Sequence, residues 1–178
     1  MTFMSMCMGA AIGTGVLVSQ YFRAKDEKGT AASIANGSYT CILIAILMTL
    51  IALVTTKPIL LLLNTPQSIL PDALTYMYIF MAGLIAVSAY FTPFSILRAL
   101  GDSKTPLIFL ILCSLLNVVL DLLFVVVLKM GVAGAAFATV LSEAIAAVLC
   151  IIYAFIKVPQ FKQAFIYGKM NINADFFS

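Results

Sequence analysis

Long apolar runs alternate with short polar clusters along this chain, and the runs predict its elements. The first covers about residues 4–22 and stops at Arg23-Ala24-Lys25-Asp26-Glu27-Lys28. The second covers about 33–56, ends at Lys57-Pro58, and is followed by the short apolar piece 59–63. Thr65 before Pro66 predicts a helix start, because the hydroxyl can cap free N–H groups and proline suits the first helical position. The third run, 73–97, holds 25 residues without a charge and ends at Arg98. The fourth, 106–128, follows the polar turn Gly101-Asp102-Ser103-Lys104-Thr105, and the fifth, 132–156, follows Lys129-Met130-Gly131. Runs of this length fit membrane-spanning helices; barrel strands would be about half as long and would alternate in polarity. Backbone groups in lipid must also be satisfied within the segment, which favours helices. The pattern predicts an all-α polytopic membrane protein with five transmembrane helices and a mixed, amphipathic cytoplasmic linker over 159–178.

Composition narrows the class further. Of 178 residues, 63% are apolar and 10% charged, and the mean hydropathy is +1.15, whereas charged residues make up about a quarter of a soluble domain. A soluble enzyme, a nucleic-acid-binding module and a disordered tail are excluded together. The net charge of +3 is too mild to suggest a nucleic-acid partner. There is no His, which removes His-based triads, His proton relays and zinc sites of the His-rich kind. Cys7, Cys41, Cys113 and Cys150 each lie inside an apolar run, far apart, and read as small core residues.

The placement of charge orients the chain. Alternating sides at each span puts Arg23, Lys25, Lys28, Arg98, Lys104, Lys157, Lys162 and Lys169 on one face and only Lys57 and Lys129 on the other. Basic residues mark the cytoplasmic side, so the chain is expected to start outside and end inside the cell (plasma or inner) membrane. The first run has no basic residue before it and so lacks the charged start of a signal peptide. An upstream span is therefore expected, with Met1 an internal methionine.

Seven acids are present. Asp26, Glu27, Asp102 and Asp175 lie among basic residues and Asp72 in an external loop, and all five read as solvated loop charges. Asp121 and Glu143 lie within apolar runs. An acid at mid-helix costs roughly 2.5–3.5 kcal/mol on insertion scales, so both are functional candidates. Asn117 precedes Asp121 by one turn on the same helix face. Measured from the joint at Lys129, Asn117, Asp121 and Thr139 all lie roughly 15 Å deep on two antiparallel helices, and Gly131, Gly134, Ala135 and Ala138 allow close approach. A carboxylate, an amide and a hydroxyl converging there suit a proton or a small hard cation. Burial favours the neutral acid and a bound cation the charged form, so occupancy can switch protonation. The bland alternative is a polar network that holds the helices together. Glu143, one turn beyond Thr139, either extends the ion pathway or pairs structurally. Pro93 is expected to kink the third span, as a hinge or simply as shape. The Gly9-xxx-Gly13 spacing predicts a close-packing face.

Several of these residues together resemble the multidrug and toxic compound extrusion (MATE) transporters. The likeness is carried by Gln20 with the charged loop to Lys28, by Arg98-Ala-Leu-Gly-Asp-Ser-Lys-Thr-Pro106, by Asn117-Val-Val-Leu-Asp121, and by Gly131-Val-Ala-Gly-Ala-Ala-Phe-Ala-Thr139. It spans about residues 9–158. The resemblance implies a twelve-helix transporter of two lobes that exports drugs, toxins or organic cations in exchange for H⁺ or Na⁺. It implies that Asn117, Asp121 and Thr139 belong to the ion site, with no cofactor beyond that H⁺ or Na⁺ and no further metal. Residues 1–158 would be a partial N-terminal lobe, helices two to six. The family's first helix and C-terminal lobe lie outside this sequence and would be its partners, alongside the bilayer and the small-molecule substrate; a fragment is expected. Two other readings stand beside this one. A related lipid-linked oligosaccharide flippase would line its cavity with Arg or Lys, and no span here contains one. A small non-transporting membrane scaffold would be complete as it stands. An enzyme is not expected, since no nucleophile–base pair or metal set is visible.

Overall fold

A computed structural model describes residues 2–166; Met1 and the tail from 167, with Lys169 and Asp175, lie outside the described residues. Six α-helices follow one another: α1 (Thr2–Arg23), α2 (Glu27–Leu62), α3 (Leu70–Ala82), α4 (Leu84–Ala99), α5 (Lys104–Asp121) and α6 (Gly131–Lys157). A π-helical turn, Leu122–Val127, continues α5, and residues 159–166 are again helical. Four helical segments are long and apolar enough to cross a membrane, and the bent pair α3 and α4 makes a fifth. The chain is an all-α, multi-pass membrane protein.

Helix ends follow local chemistry more closely than the apolar runs do. Asp26 accepts a hydrogen bond from the Gly29 N–H at 2.9 Å and caps α2, so this helix begins before its apolar run. It also continues through Pro58 and stops where Asn64 turns left-handed, at φ 51°, a conformation asparagine tolerates. Its 36 residues span about 54 Å, well beyond a hydrocarbon core of about 30 Å. Thr65-Pro66 forms a turn, not the expected helix start. The Ile69 and Leu70 N–H groups bond the Pro66 carbonyl, and Pro71 fills the first positions of α3.

The third apolar run is not one straight span. It breaks at Gly83 into α3 and α4, which are bent by 41° to each other. α6 comes so close here that a Cβ on Gly83 would strike the Val140 side chain and lie 3.2 Å from the Phe80 carbonyl oxygen. Pro93, the expected kink, lies buried inside α4, which is continuous across it. Gly9 and Gly13 are no packing face among the described residues, since a Cβ at either meets nothing within 4 Å. Close approach falls instead at Gly15, against Ser95, and at Gly37, against Thr14.

α4 is the central element, packed on α1, α2 and α6. Val18 of α1, Ile34 of α2, Ile96 and Leu97 of α4, and Cys150 and Ala154 of α6 meet in the largest core cluster. All four cysteines are buried and free, filling small spaces between helices as expected. α5 is peripheral: only Pro106 and Cys113 of it are buried, and Leu107, Ile108, Ile111, Leu115, Val118 and Val119 are exposed.

Candidate functional site in the seam between α5 and α6

The short joint at Lys129-Met130-Gly131 forces α5 and α6 to lie antiparallel. Both Lys129 (φ 53°) and Gly131 (φ 59°) adopt left-handed backbone, which reverses the chain in few residues. The register is then marked from one end to the other. Asn117 Nδ2 donates to Thr139 Oγ1 at 3.4 Å, Cys113 packs with Ala146 and Ala147, and the Phe109 and Tyr153 rings pack edge-on at 5.9 Å. Positions four apart on α5 thus face their counterparts on α6.

Asn117 and Thr139 are therefore brought into contact. Thr139 Oγ1 in turn donates to the Ala135 carbonyl at 3.1 Å, which fixes its proton and leaves its lone pairs toward Asn117. Asp121 follows Asn117 by one turn, and its Oδ1 is buried with no hydrogen-bond partner among the described residues. Glu143 is not part of this contact. Its Oε2 is likewise buried and unpaired among the described residues, one turn beyond Thr139 on α6. Pro93 stands apart, in the wall of a largely apolar cavity of about 310 Å³ with Tyr39, Thr92 and Phe155.

Two features of the seam have no signal in the pattern of residues. The first is the π-helical turn that begins directly after Asp121. There the Leu128 N–H reaches back to the Leu123 carbonyl at 2.9 Å and the Met130 N–H to that of Phe124 at 2.9 Å. Wide turns of this kind re-aim the helix and recur at functional sites. Gly134 makes room for it: a Cβ there would lie 3.1 Å from the Phe124 backbone and 3.0 Å from Met130 Cβ. The stretch Leu-Leu-Phe-Val-Val-Val contains no Gly, Pro or polar residue that would announce such a turn.

The second is the far end of the seam, where Asp102 is more than a solvated loop charge. Its Oδ1 accepts from the Thr105 N–H at 3.1 Å and caps α5. Its Oδ2 accepts from the Tyr153 hydroxyl of α6 at 3.2 Å, and that hydroxyl accepts from Thr105 Oγ1 at 3.2 Å. Partial burial pushes the Asp102 carboxyl up, but the hydrogen bonds from Thr105, Tyr153 and the Lys104 N–H outweigh it and hold the group below its ordinary value. This junction fastens the loop after α4 and the start of α5 to α6.

A family model described as MatE matches residues 1–123, which include Asn117 and Asp121. This chain belongs to the MatE family. Probable multidrug resistance protein YpnP of Bacillus subtilis (strain 168) is 38% identical over 146 residues, 82% of this chain and 33% of YpnP. Probable multidrug resistance protein NorM of Thermotoga maritima is 26% identical over 144 residues, 79% of this chain and 31% of NorM. Among solved structures, the inward-facing conformation of a multidrug resistance MATE family transporter superposes with a TM-score of 0.84 at 24% identity. That match covers 88% of this chain and 36% of that one, and shows a shared fold. The chain spans about a third of the length of the curated relatives it matches.

Proposed function

We propose that this MatE chain forms part of a secondary antiporter that exports small-molecule drugs or organic cations in exchange for H⁺ or Na⁺. Asp121 is the coupling carboxylate, and Asn117 and Thr139 are its neutral neighbours. The observation that carries this reading is the buried, unpaired Asp121 Oδ1, one turn from the Asn117–Thr139 contact. A carboxylate in that setting is costly unless an ion or proton joins it, and carboxylate, amide and hydroxyl oxygens are hard ligands suited to either. The wide turn after Asp121 gives the site a segment that can change shape. Coupling then requires that the ion bind one conformation more tightly than the other, so that its release shifts the balance between outward- and inward-open states. The whole transporter adds to this chain a preceding helix and a second lobe, sits in the cell membrane, and has this chain's N-terminus outside and its C-terminus in the cytoplasm.

The test is drug efflux from vesicles holding the complete transporter, driven in turn by a proton and a sodium gradient. Asp121→Asn abolishes gradient-driven efflux while drug still binds. Coupled efflux at the wild-type rate in that variant would overturn the role of Asp121. An absence of drug movement under either gradient in the wild-type transporter would overturn export itself.

A further inference from the structure

A groove of about 660 Å³ runs along the contact of α1 with α4, away from the α5–α6 seam. One end is apolar, lined by Met8, Ile12 and Val16 of α1 and by Phe91 of α4, and Ile12 and Val16 are 58% and 52% exposed. The other end is polar and cationic, lined by Gln20, Arg23, Arg98 and Ser103. No acid lines the groove among the described residues. The Arg98 guanidinium lies over the Phe94 ring, 5.6 Å from its centroid, which holds the charge at this wall. The side chains of Gln20, Arg23 and Ser103 have no hydrogen bond or ion pair among the described residues. Arg23 also borders a second cavity with Asp26 and Glu27, yet pairs with neither. Between the two ends Gly15 lets the helices close on each other, since a Cβ there would strike the Ser95 side chain.

We infer that this groove binds one anionic phospholipid, its phosphate held by Arg23 and Arg98 and an acyl chain laid along Met8, Ile12, Val16 and Phe91. Length and charge decide the occupant together. From Met8 to Arg23, α1 advances about 22 Å, whereas half of a hydrocarbon core is about 15 Å. The groove therefore spans one leaflet and reaches the headgroups, as a lipid does. A free phosphate would fill the arginine end and leave the apolar end unmatched. An organic cation, the substrate class proposed above, would meet two like charges. Guanidinium forks match phosphate oxygens, and the Gln20 amide and Ser103 hydroxyl add donors. In the orientation proposed above this end lies in the cytoplasmic leaflet, where anionic lipids attract basic residues. The site needs neither Asp121 nor a coupling ion.

Native mass spectrometry of the complete transporter tests this. The protein is released from micelles holding equal amounts of phosphatidylglycerol and phosphatidylcholine with the same chains, and the retained lipids are compared. Phosphatidylglycerol is retained in excess, and Arg23→Gln with Arg98→Gln lowers that excess by about fivefold for each arginine. Both arginines are exposed, so the substitutions spare the core. Lys28→Gln with Lys104→Gln removes the same charge from the same end of the helices, outside the groove, and leaves the excess unchanged. Equal retention of the two lipids by the unaltered protein would overturn the site, as it would if the second lobe covered the groove. An excess untouched by the arginine variant, or lowered as much by the lysine variant, would overturn it too. Added inorganic phosphate leaves the excess in place; its disappearance would replace the lipid with a free phosphate. No drug or gradient enters the measurement, so its failure is distinct from failure of the export reading.

Discussion

The junction at Asp102 offers the clearest energetic test of how this fold is fastened. Tyr153→Phe removes one hydroxyl, and with it the bond donated to Asp102 Oδ2 at 3.2 Å and the bond accepted from Thr105 Oγ1 at 3.2 Å. The ring stays against Phe109, whose centroid lies 5.9 Å away, so packing is retained. A hydrogen bond to a charged group contributes about 1.5–3 kcal/mol and a neutral one about 1 kcal/mol. Water replaces part of both at this partly exposed site, so the expected loss is about 1–2 kcal/mol. The pH dependence has a definite sign. The folded-state value of Asp102 is lowered, so its contribution is fully present above the unfolded value of about 3.9 and fades as pH falls through the lower folded value. Equilibrium unfolding in mixed micelles at neutral pH should show Tyr153→Phe as the weaker protein, with the gap narrowing at strongly acid pH. Equal stability at neutral pH, or a gap that widens on acidification, would refute the assignment. A double-mutant cycle with Asp102→Asn isolates the pair itself.

Gly134→Ala should destabilise the chain by about 1–3 kcal/mol, because the new methyl crowds the Phe124 backbone at the π-helical turn; Gly9→Ala and Gly13→Ala, where a Cβ meets nothing within 4 Å, should not, and the same unfolding measurement compares them. In vesicles of the complete transporter, Thr139→Ala should weaken ion coupling, by up to about tenfold if one neutral ligand contributes about 1.4 kcal/mol, whereas Asp121→Asn abolishes it. Coupling that is unchanged in Thr139→Ala would remove the hydroxyl from the site. All four cysteines are buried, so a membrane-permeant maleimide should label the folded chain slowly and the unfolded chain fast. Rapid labelling of the folded state would contradict the packing of Cys150 at 0% exposure.

The residue pattern alone determined that this is a multi-pass helical membrane protein, because every backbone group within a span must be satisfied locally and the apolar runs have that length. It also singled out Asp121 and Glu143 from seven acids, since a carboxyl inside an apolar run is conspicuous wherever it packs. The short joint at Lys129-Met130-Gly131 made α5 and α6 neighbours, so the meeting of Asn117 with Thr139 was legible. Other features depend on what lies across the gap. The break at Gly83 comes from the approach of Val140, more than fifty residues further along the chain, while the proline that attracted attention, Pro93, is simply enclosed in α4. The role of Asp102 depends on Tyr153, and Tyr90 is buried only because Cys113, Ala146 and Ala147 pack on it. The wide turn after Asp121 is set by Gly134 on the next helix. Hydrophobic length is a local property and can be read along one dimension; which side chains meet, and which polar atoms are left without partners, is decided only when the helices pack.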